Sequence, residues 1–323
     1  MTGWTLPDGR KVDRLTLVGG GLTAQVLTLG ATVQDLRMDG VDHPLVLGCP
    51  DPADYLGRGL YMGAIVGRFA NRIGGARFAL DGQEYHTDPN FRNRHTLHGG
   101  SRGTHWHLWQ VDDLHQDHAA LSLVLPDGEM GFPGRLRIRA RIALRDGALA
   151  FDLQAETDAP TPCNLAHHGY FNLDGGGDVR DHRLRVAADR YLPVDDDLIP
   201  LDGPAPVGGT RFDFRQARVI APGDYDHNFC LSDGPVAPRV VAELTGRSGI
   251  RLEIETDQPG LQVYDGGQLD GVPGLEGRRH DRFGGIALET QGWPDAPNRP
   301  GFPDPILRPG GIYRHRVAYR FGR

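Results

Sequence analysis

Nowhere in its 323 residues does the chain hold the run of about eighteen apolar residues that a membrane-crossing helix needs. Its start, Met1 to Arg14, is broken by Asp8 and Asp13 and has no apolar core of a secretory leader, so a cytoplasmic location is expected. Dense basic runs are equally missing. With Lys+Arg 35 against Asp+Glu 42 the net charge is -7, which argues against nucleic-acid and membrane partners. Cysteine is scarce: Cys49, Cys163 and Cys230 are odd in number and widely spaced, which suits reduced thiols better than a disulfide framework. Gly 46 and Pro 24 together make about a fifth of the chain, more than average yet short of the level that marks low-complexity disorder.

Helical periodicity is scarce too, and short alternating runs take its place. Residues 14–18, 24–29, 120–125 and 135–142 alternate polar with apolar positions, the last pairing Arg with Leu, Ile or Ala throughout. Such alternation is the mark of a half-buried antiparallel strand. Further strands are expected at 148–155, 250–256 and 313–319, and Asp146-Gly147 before the first of these is a hairpin signal. Asp39-Gly40, Asp81-Gly82 and Asp127-Gly128 add turn signals. The pattern predicts an all-β chain, a large antiparallel β-sandwich or barrel-like sheet. No repeat or flexible linker divides it, so residues 1–323 are read as one domain. Three segments break the rhythm and are expected to be functional loops: 67–75, 93–109 and 289–309.

Several constellations could carry chemistry. Asn164-Leu165-Ala166-His167-His168-Gly169-Tyr170-Phe171-Asn172-Leu173 sets two adjacent imidazoles in an aromatic and amide-rich run. Imidazole titrates near neutrality and serves as acid or base. On an extended backbone neighbours face opposite sides, so only one of the two lines a pocket, and Tyr170 shares the side of His168. Histidines 95, 98, 105 and 107 cluster in sequence, but no carboxylate or thiol stands beside them at a recognised ligand spacing, so a metal site is not expected. His115 and His118 sit among Asp112, Asp113 and Asp117 and read as solvated surface.

Gly67-Arg68-Phe69-Ala70-Asn71-Arg72-Ile73-Gly74-Gly75 offers tight turns and the many N–H donors of Asn71 and Arg72, suited to sugar hydroxyls or anions. Equally, the arginine could be tied to a buried carboxylate. Glu289 closes the apolar run 284–288, where poor solvation would raise its pKa and make it a better base; the alternative is a salt bridge to a buried arginine. Trp293 gives either an aromatic face for a sugar ring or a core plug. Asp226 could accept hydroxyl hydrogen bonds or cap a turn, and Gln262 and Tyr264 share one strand face.

Together these segments resemble the aldose 1-epimerase (galactose mutarotase) family, in order and over nearly the whole chain. The motifs are Gly-Arg-Phe-Ala-Asn-Arg-Ile at 67–73, Leu-His-Gly-Gly at 97–100, His-Gly-Tyr-Phe-Asn-Leu at 168–173 and Asp-His-Asn-Phe at 226–229. Gln-Pro-Gly-Leu-Gln-Val-Tyr at 258–264 and Leu-Glu-Thr-Gln at 288–291, running on to Pro-Asp-Ala-Pro-Asn at 294–298, complete the set. The resemblance implies the galactose mutarotase-like supersandwich with its sugar site in a cleft. It implies Glu289 as general base, His168 as general acid, and Asn71, Arg72, His98, Asp226 and Gln262 as sugar contacts. It implies no metal and no organic cofactor, with a small monosaccharide as partner. The oligomeric state is not indicated. Two departures from the family stand out: His167 where members commonly carry Asn, and Thr290 where many have Pro.

The implied reaction interconverts α and β anomers of a free aldose. Glu289 takes the C1 hydroxyl proton, His168 protonates the ring oxygen, C1–O5 opens, C1–C2 rotates and closure returns both protons. For this at neutral pH, burial is expected to raise Glu289, and a nearby carboxylate such as Asp226 to raise His168. Two alternatives are a non-catalytic sugar-binding module using Trp293, Arg72 and Asp226, and a hexose-6-phosphate 1-epimerase using Arg92, Arg94 and Arg102 at the cleft mouth.

Overall fold

Alternation decides the architecture. The structure, a computed structural model, describes residues 2–323. In Leu136–Arg145, Leu136, Ile138, Ala140 and Ile142 are buried while Arg137, Arg139 and Arg141 are exposed, so one face packs and the other meets water. The chain then turns through Asp146-Gly147, with φ 51° and 72°, into Ala148–Thr157. Positive φ at both turn residues is what a two-residue hairpin of this hand requires. Asp81-Gly82, with φ 51° and 83°, closes the hairpin of Arg77–Leu80 and Gln83–His86 in the same way.

Among the described residues, helical structure is confined to 3-10 turns of three to five residues. None is long and apolar enough to cross a membrane. The rest is sheet. A nine-stranded antiparallel sheet runs in the order Gln110–Leu114, His118–Leu125, Leu136–Arg145, Ala148–Thr157, Tyr313–Gly322, Arg251–Thr256, Arg239–Thr245, Arg183–Val186, Arg218–Val219. Facing it is a six-stranded sheet: Tyr170–Phe171, Ile286–Gln291, Gly260–Tyr264, Asp226–Cys230, Arg190–Tyr191, Ala205–Pro206. A four-stranded sheet, Thr2–Thr5 through Thr32–Met38, lies at the N-terminal end. The expected all-β sandwich is what forms.

One core cluster joins the two large sheets. It contains Ile138, Ile142, Phe151, Leu153, Ile254 and Tyr319 from the first, and Phe171, Phe229, Leu261, Val263, Ile286 and Leu288 from the second. Period-2 alternation then forces the other residues of the second sheet onto its far face. Cross-strand register makes Glu289 a neighbour of Gln262 and Gln262 a neighbour of Asn228, while Tyr170, Ala287, Tyr264 and Asp226 form the adjacent row. The apolar alternate residues thus anchor the sheet while the polar ones are presented together on its free face.

The sequence places the start of an irregular loop at Glu289; the structure places it later. Ile286–Gln291 remains a strand through Glu289, with Gln291 opposite Gly260, and irregular chain begins at Gly292. Glu-Thr-Gln looks like loop composition, but both faces of the strand are buried and its polar side chains find places on each.

Candidate active site

The free face of the six-stranded sheet is roofed by the loops around Tyr61, Asn71 and His98 and by the turn at His168, leaving a cleft of about 210 Å³. That is smaller than the roughly 300–1,000 Å³ of pockets for drug-sized ligands and suits a single ring. Clefts of about 340 Å³ beside Gly175–Gly177 and about 230 Å³ beside Pro303–Pro305 are larger, but neither brings a buried carboxylate against an imidazole.

Backbone contacts between the two sequence motifs build the roof. Arg72 pairs with Leu97 across a short ladder, and His98 N–H donates to the Asn71 carbonyl at 3.0 Å. Gly99, φ 81°, lies so close to Gly67 that a Cβ would stand 2.1 Å from the Gly67 carbonyl oxygen, so no other residue fits there. Asn71 and His98 both hold left-handed backbone, φ 65° and 52°, an uncommon conformation for residues with side chains. In return Asn71 N–H donates to His98 Nδ1 at 3.1 Å. Burial keeps His98 well below its usual pKa, so its ring is neutral. Since Nδ1 accepts, the ring proton sits on Nε2, and His98 is a fixed donor.

Strand alternation separates the two adjacent histidines as expected. His168 stands with Tyr170, ring centroids 5.1 Å apart, and with His98 at 5.1 Å. His167 turns the other way, into the core against Phe151 at 4.3 Å and Tyr319 at 5.4 Å. Burial drives its pKa to about 3, so it is a neutral packing residue. His167→Asn should therefore leave kcat within about a factor of three, a barrier change of roughly 0.6 kcal/mol. It should lower Tm through a cavity costing about 1–3 kcal/mol. Polarimetry and a thermal melt check both, and a dead variant would mean the wrong imidazole carries the chemistry.

His168 Nε2 lies 3.5 Å from Glu289 Oε1, with both side chains almost fully buried. Desolvation dominates each. It pushes Glu289 up to about 8, helped by the Asp226 charge and opposed by Arg72. It pulls His168 down to about 4; Asp226 acts upward on the ring, but less strongly than burial acts downward. This corrects the expectation that a carboxylate would raise His168. Burial is the larger effect because both groups sit on the inner wall of the cleft. At neutral pH the pair holds one proton, and in the empty site it rests on the carboxyl.

Asp226 ties the remaining candidates together. Its Oδ2 accepts from Arg72 Nη2 at 2.9 Å and its Oδ1 from Gln262 Nε2 at 2.5 Å. Both alternatives for Arg72 thus hold at once: it is paired to a carboxylate and it lines the cleft. Its guanidinium also lies over Phe91, 4.8 Å from the ring centroid. Gln262 sits beneath Asp226 with Oε1 buried and unpartnered, as are Glu289 Oε2 and Arg72 Nε. Buried polar atoms are normally paired, so three unpartnered ones this close together set this region apart.

Other expectations resolve differently. Trp293 is a plug: it is buried against Phe302 at 5.0 Å and donates Nε1–H to the Pro259 carbonyl at 3.0 Å. Arg92 and Arg94 converge on Asp197 at 2.5 and 2.8 Å, so they brace a loop and are not presented as free cations. Of the clustered histidines only His98 enters the cleft: His95 Nδ1 accepts from Gly75 N–H, and His105 is buried beneath Tyr61. His98, His168 and Glu289 offer ligand atoms within 4.8 Å of one another. With His98 Nε2 protonated, that grouping cannot close on a metal unless the Asn71 bond breaks. At the surface, His115 and His118 stack face to face at 4.5 Å, which keeps their in-plane lone pairs from converging. Missed by the sequence reading is Tyr61, whose ring touches His98 at 4.7 Å and lies over His168 at 6.2 Å. The four residues Tyr61-Met62-Gly63-Ala64 carry no feature that would have flagged it.

The aldose 1-epimerase family model matches residues 13–320. The chain is 40% identical to galactose mutarotase of Rattus norvegicus, over 97% of this chain and 95% of that protein. It is 36% identical to aldose 1-epimerase of Escherichia coli, over 98% and 96%. Among solved structures, an aldose epimerase homologue from C. elegans superposes with TM-score 0.91 at 29% identity, covering 97% of this chain and 99% of the other. Galactose 1-epimerase from Lactobacillus acidophilus gives 0.86, also at 29% identity, over 99% and 97%.

Proposed function

The chain belongs to the aldose 1-epimerase family, and from that premise we propose that Glu289 and His168 interconvert the α and β anomers of a free aldose by passing two protons across its ring. Galactose is the substrate we favour, after the name of the Rattus norvegicus relative, with glucose as a further aldose to test. The observation that carries the reading is a buried carboxyl and a buried imidazole 3.5 Å apart on the wall of the cleft.

Opening a pyranose needs a base at the C1 hydroxyl and an acid at the ring oxygen. Glu289 protonated with His168 neutral, and Glu289 ionised with His168 protonated, contain the same number of protons. They differ only in where one of them sits. A C1 hydroxyl donating to Glu289 favours its ionised form, so sugar binding moves the proton from the carboxyl to the imidazole over the short gap between them. His168 then protonates O5 while Glu289 takes the C1 hydroxyl proton, and the C1–O5 bond breaks. Rotation about C1–C2 and closure on the other face return both protons. Arg72, Asp226 and the Nε2–H of His98 grip hydroxyls away from C1, holding the open aldehyde in place; Asn71 sets that His98 tautomer and Gln262 steadies Asp226. Each positioned acid or base contributes about a hundredfold to ten-thousandfold.

A cytoplasmic location fits the three buried, unpaired cysteines, and the activity resides in one domain that comprises the chain. The pH dependence of kcat/KM tests the proton inventory. Below about 4 the pair gains a second proton and has no base; above about 8 it loses its only proton and has no acid. The expected profile is a plateau bounded by limbs near those values, each falling about tenfold per pH unit and belonging to the pair as a whole. A rate still rising beyond pH 9 by polarimetry would mean that no acid is required.

A further inference from the structure

We infer that His315 is a positioning residue, a neutral imidazole that laces the backbone carrying the acid to the strand carrying the base through Thr290. This rests on the acid–base reading of Glu289 and His168 given above.

Alternation on Ile286–Gln291 sends Thr290 away from the cleft as Glu289 enters it. There Thr290 is fully buried, with Oγ1 2.8 Å from Nε2 of the equally buried His315. The other ring nitrogen, Nδ1, lies 2.9 Å from the Leu165 carbonyl oxygen. A carbonyl only accepts, so Nδ1 carries the ring proton and Nε2 of the neutral ring is bare. The Thr290 hydroxyl donates to it. Burial holds His315 in that neutral form although Asp257 and Asp152 act the other way. Both nitrogens are therefore used, and the tautomer is fixed.

The consequence lies in what the two ends hold. Thr290 is the residue next to Glu289. Leu165 is three residues before His168, along a stretch stiffened by pairing of Ala166–His167 with Ile65–Val66. Leu165 is gripped on both sides from one strand face: its N–H donates to Tyr313 Oη at 3.0 Å and its carbonyl accepts from His315. A second lace runs alongside, Gly292 N–H to Asn164 Oδ1 at 2.8 Å. The separation of Glu289 and His168 is thus set from behind the sheet, by groups that never touch the sugar. The His315 bonds do not reach the residues that grip the substrate, since Arg72, His98 and Asp226 are joined by contacts of their own, whereas Asn164 also ties to Ala70.

This separates turnover from affinity. Thr290→Val keeps the shape and removes the donor, leaving His315 Nε2 without a partner. We expect kcat to fall about tenfold, since small misplacements of reacting groups are costly, while KM and the calorimetric sugar affinity stay within about twofold. The fall is limited because the Asn164 lace remains. Thr290→Ser, which restores the hydroxyl, should recover most of the wild-type kcat. Rates are expressed per sugar-binding site counted by calorimetry, so unfolded protein does not contribute, and Thr290→Ala carries the test should the valine variant not fold. Wild-type kcat in the hydroxyl-less variant would overturn the inference, as would a loss confined to KM or a serine variant no better than the valine one. Glu289→Gln measured beside them separates the two levels. If it is inactive while Thr290→Val is normal, only the lacing fails; if it too is fully active, the acid–base reading fails.

Discussion

Glu289→Gln is expected to slow mutarotation by about a hundredfold to ten-thousandfold, the range for a positioned acid–base group, while sugar affinity stays close to wild type. The substitution is nearly isosteric. In the empty site Glu289 is already a neutral carboxyl, since burial raises it to about 8, so the amide replaces one neutral polar group by another of the same size. Its neighbours, Gln262 across the ladder and the Asp226 carboxylate to which Gln262 donates, have no reason to move. On the proposed mechanism, what disappears is the site where the C1 hydroxyl proton can go. Polarimetry on a freshly dissolved α-anomer gives the rate, and calorimetry gives the affinity. A variant that turns over normally would remove Glu289 from the mechanism.

His168→Asn is expected to lower the rate by a similar factor, but with some loss of affinity as well. The imidazole fills space between His98 and Tyr170, each about 5 Å away by ring centroid, and beneath Tyr61. Asparagine leaves part of that space empty and cannot carry the proton to O5. The contrast with His167→Asn is the sharper result. The two positions are adjacent in sequence and identical in residue type, yet one faces the cleft and the other stacks on Phe151. If the His167 variant were the dead one, the strand alternation on which the site is built would be assigned backwards.

Much of this was legible in the sequence, and the legible part is local. Arg-apolar alternation over 135–142 gives the strand and says which face is wet, and Asp146-Gly147 gives the turn. The opposed directions of His167 and His168 follow from the same period. The residue types of the cleft, a carboxylate, imidazoles, an arginine and amides, were visible as motifs. What could not be read is what depends on partners far away in the chain. Where the resting proton sits is decided by desolvation, which Glu289 and His168 feel because the Asn71 and His98 loops roof over the sheet. The sign of the Asp226 effect on His168 was predicted correctly, and its size against burial was not. Trp293 reads equally as a sugar platform or a plug until Phe302 and Pro259 are seen against it. Thr290 looked like a bare departure from a family pattern, and only the return of Tyr313–Gly322 beside it supplies the imidazole that explains its hydroxyl.

The central claim is that one carboxyl and one imidazole act as a single relay for one shared proton, and the double variant Glu289→Gln, His168→Asn tests it most directly. Polarimetric rates of the two single variants and the double, per sugar-binding site, should show the double no slower than the worse single to within about threefold, as groups acting as a unit behave. Losses that multiply, or a double variant that still turns over at the wild-type rate, would contradict the account.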